Sequence, residues 1–130
     1  MFSVQVSSTA QARVFALRGE LDYESAVQLH EAADQVLGGT RQPVLVVDCT
    51  GLEFCDSSGI GCLVRIHQRL SAQGAVLRLA AVPASVARVF ALTGLDQAIP
   101  VHATLDEALG ASGSGPVPGS DDGLSSLRSA

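Results

Sequence analysis

"VLVVDCTGLEFCDSSGIGCLVRIHQRL", residues 44–70, decides the fold. With Pro43 it opens as "PVLVVDCT", a short continuous apolar run of the kind that forms a strand buried on both faces. Ile60, Leu63, Val64, Ile66 and Leu70 then recur at helical spacing, and the helix is expected to end before Gly74. A buried strand feeding an amphipathic helix is half of a parallel crossover unit. The junction itself raises a question. Asp56, Ser57 and Ser58 suit a helix start, but glycine inside a helix costs about 0.8–1 kcal/mol relative to alanine, and Gly59 and Gly61 stand close together. The expected gain is access, because glycine leaves no side chain in the path of an approaching backbone.

The flanking segments complete the pattern. Phe2, Val4 and Val6 alternate with polar residues, "SSTAQ" turns the chain, and "ARVFALRG" follows, so residues 2 to 18 read as a hairpin. In "ELDYESAVQLHEAADQVLGG", Ala26, Leu29, Ala33, Val36 and Leu37 share one helical face, with Gly38 and Gly39 as the stop. "AVLRLAAV" reads as a further buried strand. Pro83 opens a helix through "ASVARVFALTG", "QAIPV" a short edge strand, and "TLDEALG" a last helix with Thr104 and Glu107 at capping-box spacing. This order implies an α/β fold: a mixed, mostly parallel sheet of about five strands, an N-terminal hairpin and about four helices. Residues 1–109 form the expected domain. Residues 110–130, "GASGSGPVPGSDDGLSSLRSA", are rich in Gly, Ser and Pro and read as a disordered tail.

Composition narrows the function. The 130 residues carry eight basic residues, all arginine, against thirteen acidic ones, for a net charge of −5. No basic run exists to hold nucleic acid or an anionic membrane, and no apolar run approaches the roughly 18 residues of a membrane span. "MFSVQVSS" has no charged segment followed by an apolar one, so the expected location is cytoplasmic. Cys49, Cys55 and Cys62 have neither disulfide nor metal spacing and read as small buried hydrophobes, Cys55 being the most accessible of them. His30, His67 and His102 lack partner spacing and read as surface or half-buried side chains.

"LRGELDYESA", "VLVVDCTGLEFCDSSGIGCLVRIHQRL" and "VPASVARVFALTGL" together resemble the STAS domain of sulfate transporters and anti-sigma factor antagonists, colinearly over about residues 2 to 109. The most specific stretch is "DCTGLEFCDSSGIGCL"; Cys49 and Cys55 stand where aliphatic or hydroxyl residues are more usual. A small single-domain chain is most similar to the antagonists. The resemblance implies phosphorylation of the second serine of the D-S-S-G motif, here Ser58, by a kinase that is itself the anti-sigma factor. ATP and magnesium would belong to that kinase, no cofactor to this chain, and a separate phosphatase would reset the switch.

The implied partner-binding residues are Asp22, Asp56, Ser57, Ser58, Gly59 and Gly61. Ser57 is expected to be the helix cap. Asp22 either caps the first helix or meets the partner, or both. Asp56 either closes the turn as an Asx residue or serves kinase recognition. Two other functions compete. One is a STAS subunit of another signalling or transporter-associated assembly, with Ser58 as a plain interface residue. The other is a serine hydrolase, disfavoured because D-S-S-G is not G-x-S-x-G and no histidine or acid has motif support as partner. The expectation is a non-catalytic monomer.

Overall fold

The computed structural model describes residues 1–10, 12–37 and 43–111. In chain order the elements are β1 (Ser3–Ser8), β2 (Ala12–Leu21), α1 (Tyr23–Leu37), β3 (Val44–Cys55), α2 (Ser57–Ala72), β4 (Val76–Ala80), α3 (Ala84–Thr93), α4 (Leu95–Ala98), β5 (Val101–His102) and α5 (Leu105–Ala111). The five strands lie side by side in sequence order, with β1 antiparallel to β2 and every other pairing parallel. The STAS-like α/β expectation, hairpin at one side included, holds among the described residues.

Strand alternation divides the interior. Leu45, Val47 and Cys49 of β3 face a core built with α1 to α4, where Leu29, Leu63, Ile66, Val86 and Phe90 pack against Phe15, Leu17, Leu77 and Leu79. Val44 and Val46 point to the opposite face, where Ala12, Val14 and Ala80 meet Ala108 of α5, with Leu105 and Leu109 at its margin. A strand with both faces covered has no polar side, and so the run from Val44 to Val47 contains none. Each large aliphatic side chain buried in this way contributes about 1.5–3 kcal/mol.

Several boundaries differ from the sequence expectation. β3 extends to Cys55 instead of ending near Thr50, because β2 also runs on to Leu21 and supplies a ladder partner. Two register shifts give β3 two residues more than β2 over this length. They sit beside Gly19, with φ of +91°, and Gly51, where an added Cβ would stand 3.0 Å from the Leu17 carbonyl oxygen. Glycine at both places lets the bulged strands pass. "QAIPV" divides: Gln97 and Ala98 finish the single-turn helix α4, and only Val101 and His102 form strand, so the described residues hold five helices where about four were expected. α4 follows directly because Gly94 takes φ of +80° and closes α3 before the next turn starts. α5 runs to Ala111, two residues past the expected boundary at 109. The remainder of the expected tail, 112–130, and the Gly38–Gly39 stop lie outside the described residues.

All three cysteines are free and buried, as expected of small hydrophobes, and Cys55 at 3% exposure is the most accessible of them by a small margin. Its thiol lies under Gly59, beneath the start of α2. Burial pushes the Cys49 and Cys55 thiols up to about 12 and Cys62 to about 11. The folded chain should therefore leave its thiols unmodified by Ellman's reagent at pH 8 and expose all three in guanidinium. The sign for stability follows. As pH rises from the ordinary thiol range near 9 toward 12, the unfolded chain loses protons that the native chain retains, and native stability falls. A pH series of denaturation midpoints reads this directly.

Candidate functional site

The ends of β2 and β3 bring two helix starts together. Leu21 stands beside Cys55 in the ladder, and Asp56 N donates to the Leu21 carbonyl oxygen at 3.1 Å. One residue further on, both chains turn into helices, so Asp22 and Asp56 begin α1 and α2 at the same end of the sheet.

Each aspartate caps its helix. Asp22 Oδ1 accepts from Ser25 N at 3.0 Å, while Ser25 Oγ accepts from Asp22 N at 2.8 Å and donates to the Glu20 carbonyl oxygen at 2.7 Å. This reciprocal pairing has the logic of a capping box, with serine in the distal position. Hydrogen bonds from the Ser25 backbone and hydroxyl hold the Asp22 carboxyl below the usual carboxylate range. The contribution is present above the ordinary carboxylate pKa and is lost as pH falls through the lowered value. At the second junction Asp56 is extended (φ −102°, ψ −172°) and its Oδ1 accepts from Ser58 N at 2.9 Å and Gly59 N at 3.1 Å. Asp56 is thus the N-cap, and the expectation that Ser57 fills that role is corrected. Ser57 is the first residue inside the helix and is exposed; Ser58 is the second and half-buried. Among the described residues neither serine hydroxyl is engaged in a hydrogen bond.

The two glycines separate. Gly59 is buried, and a Cβ there would lie 2.7 Å from Leu21 Cγ and 2.8 Å from Cys55 Sγ. Its bareness admits the strand ends beneath the helix, so the expectation that it clears an outside path is overturned. Gly61 has nothing within 4 Å of a built Cβ and does open outward.

α1 and α2 run alongside each other. Arg69 Nη1 meets Asp34 Oδ1 at 2.6 Å, Arg65 Nη1 is 3.3 Å from His30 Nε2, and Cys62 Sγ donates to the Ala26 carbonyl oxygen at 3.7 Å. Helical spacing extends the two facing rows toward the helix starts: Asp34, His30, Val27 and Tyr23 on α1, and Arg69, Arg65 and Gly61 on α2. Ser57 and Ser58 lie four and three residues before Gly61, each one helical turn further toward the start of α2. Sequence reasoning passed over Tyr23 and Val27, which are 78% and 56% exposed, and Phe54, which is 50% exposed beside Glu20. The signal available for the first two was their i, i+4 spacing on the row that continues to His30 and Asp34.

Charge is concentrated here as well. Glu20, Asp22, Glu24, Glu53 and Asp56 fall in the two junction segments, 19–25 and 51–61, which contain no basic residue. The other eight acidic residues equal the eight arginines in number, so these segments carry the chain's whole net charge. The described residues contain no group of His, Cys, Asp and Glu arranged to hold a metal ion, and no helix long and apolar enough to cross a membrane.

Residues 3–108 match the STAS domain family, and the chain belongs to it. The anti-sigma-F factor antagonist RsfA of Mycobacterium tuberculosis is 29% identical over 101 residues, spanning 77% of this chain and 79% of its own. The crystal structure of an anti-sigma factor antagonist from Mycobacterium paratuberculosis superimposes with a TM-score of 0.78 at 29% identity, over 86% of this chain and 94% of that one. SpoIIAA, an anti-sigma factor antagonist in its unphosphorylated form, gives 0.73 at 26% identity, over 89% of this chain and all of its own. The SulP transporter STAS domain from Vibrio cholerae shares the fold, with a TM-score of 0.66 at 18% identity and coverage of 83% of this chain and 85% of that one.

The geometry makes the small residues distinguishable. Gly59→Ala should cost about 1–3 kcal/mol through overpacking against Leu21 and Cys55, whereas Gly61→Ala should add about 1 kcal/mol through helix propensity. Asp56→Ala should cost about 1 kcal/mol as a lost cap, and Ser57→Ala far less. Urea denaturation of the four variants separates them.

Proposed function

We propose that this chain is an anti-sigma factor antagonist, switched off by phosphorylation of Ser58. It binds an anti-sigma factor that is also a serine kinase, and so frees a sigma factor; the kinase brings ATP and magnesium, and a phosphatase restores the serine. The observation that carries this reading is the free Ser58 hydroxyl, two residues past the Asp56 carboxylate cap, on a helix entrance that Gly61 leaves open. The names of the relatives, and the existence of SpoIIAA in an unphosphorylated form defined as such, support it.

The local physics favours a switch that acts on the partner surface. Phosphate adds about −1.5 to −2 charges. A helix N-terminus ordinarily welcomes an anion, but the Asp56 carboxylate already accepts from the Ser58 and Gly59 amides. The phosphate is then left to project outward beside the Asp56 carboxylate, near the acidic residues of the two junction segments. The fold survives while the docking face changes.

Incubation with the anti-sigma factor kinase and Mg-ATP, followed by mass-spectrometric site mapping, should place phosphate on Ser58. Ser58→Ala should fold, take no phosphate and bind the kinase constitutively. Ser58→Asp should bind more weakly, although one carboxylate imitates phosphate imperfectly. Phosphate on Ser57 would move the assignment by one residue. Absence from both serines would favour an interaction subunit of another assembly, the role to which the shared fold of the SulP domain directs attention.

A further inference from the structure

The sheet face opposite α1 and α2 is only partly covered. α5 closes one half of it over Ala12, Val14, Val44 and Val46. Ala16, Arg18 and Asp48 continue the same face, since they alternate with residues of the other core. There the cover ends, and a cavity of about 250 Å³ opens over β1, β2 and β3. Strands in parallel ladders are normally covered on both faces, and this stretch departs from that rule. Its floor is small and its walls are polar. Ala16 stands between Gln5 and Asp48 in the register, and Arg18 between Ser3 and Gly51. The first register shift of the β2–β3 ladder falls between these two rows, inside the cavity; shifts of this kind re-aim side chains beside functional sites. The Arg18 stem lies across the bare Gly51, where an added Cβ would stand 2.9 Å from Arg18 Cγ. Asp48 Oδ1 is taken by Thr50, which donates from N at 3.1 Å and from Oγ1 at 2.6 Å. The other Asp48 oxygen and the Arg18 guanidinium have no hydrogen bond or ion pair among the described residues. A cation and a carboxylate thus line one cavity, too far apart to pair with each other.

The geometry points to this cavity as a binding site for a small polar α-amino acid. Arg18 receives the ligand's carboxylate through paired N–H donors, the strongest arrangement open to a guanidinium. Asp48 receives the ammonium on the oxygen that Thr50 leaves free. An α-amino acid carries both groups on one carbon, and so it bridges two walls that do not reach each other. Gln5, with a donor and an acceptor in its amide, lines the same cavity and meets the ligand's side chain. Ala16 and Gly51 leave room beneath the ligand but offer little apolar surface, which favours a hydroxyl or amide side chain over an aliphatic one. The volume lies just below the range of pockets for drug-sized ligands and suits a molecule of this size. The site occupies the face of the sheet away from α1 and α2, separate from the helix entrances and from Ser58.

The test uses the full chain with L-serine, L-asparagine and L-glutamine, read by calorimetry and by amide chemical shifts. At least one should bind saturably with a Kd of about 1 mM or tighter. It should shift the amides of Gln5, Ala16 to Arg18 and Asp48 to Gly51, and leave those of Asp56 to Gly61 in place. The analogue of that ligand lacking only its carboxylate, and the one lacking only its ammonium, should each bind about tenfold or more weakly; for asparagine these are 3-aminopropanamide and succinamate. Arg18→Gln should weaken the amino acid to the same degree yet leave the carboxylate-free analogue unaffected. Asp48→Asn should do the same for the ammonium, and the substituted amide keeps the acceptor that Thr50 uses. Thermal denaturation checks that both variants fold; should either unfold, the analogue comparison on the wild-type chain decides alone. Absence of saturable binding by all three amino acids up to about 20 mM overturns the proposal. Binding that survives both substitutions in folded protein, or that shifts amides elsewhere, overturns it equally.

Discussion

The hydrogen bond from Asp56 N to the Leu21 carbonyl oxygen sets the site. It is the last rung between the two central strands, and it forces the chains to leave the sheet together. Two helix starts then stand next to each other, one closed by Asp22, the residue after Leu21, and the other by Asp56, the donor of the rung itself. Beneath them Leu21 and Cys55 fill the space that Gly59 vacates. A bulkier residue at 59, or a ladder one rung shorter, would separate the two entrances and dissolve the face they share.

Reaching that rung requires the two register shifts between β2 and β3. Without them the twelve residues of β3 would overrun the ten of β2, and Asp56 would not meet Leu21. The bulges also explain an irregular pattern. Leu45, Val47 and Cys49 alternate as expected, but Leu52 and Cys55 follow at intervals of three and still face the same core. Bulges concentrated at the functional end re-aim the strand there without disturbing the buried half of the sheet.

This geometry accounts for what was readable in the sequence. The apolar run from Val44, the helical spacing after Gly59 and the Pro83–Gly94 frame of α3 state their structure locally, and the α/β order followed from them. The cap at α2 was not readable, because Asp56, Ser57 and Ser58 all favour an N-cap and only the backbone position of the last rung selects among them. Gly59 and Gly61 looked alike in sequence; one packs inward and the other opens outward, a difference set by which helical face meets Leu21. Tyr23 and Val27 went unmarked because an apolar i, i+4 pair looks the same whether its row ends in a core or in solvent. The single turn of α4 was hidden by a strand-like "AIPV".

In the proposed function one face, built from the two helix entrances, carries recognition. Amide chemical-shift mapping of the labelled chain during titration with the anti-sigma factor kinase tests this most directly. The predicted result is a single contiguous set of perturbed amides at Asp22–Glu24, Val27 and Asp56–Gly61, with β1 and α5 unmoved. Perturbations centred instead on α5 and the sheet face it covers, or on the β1 edge, would contradict it.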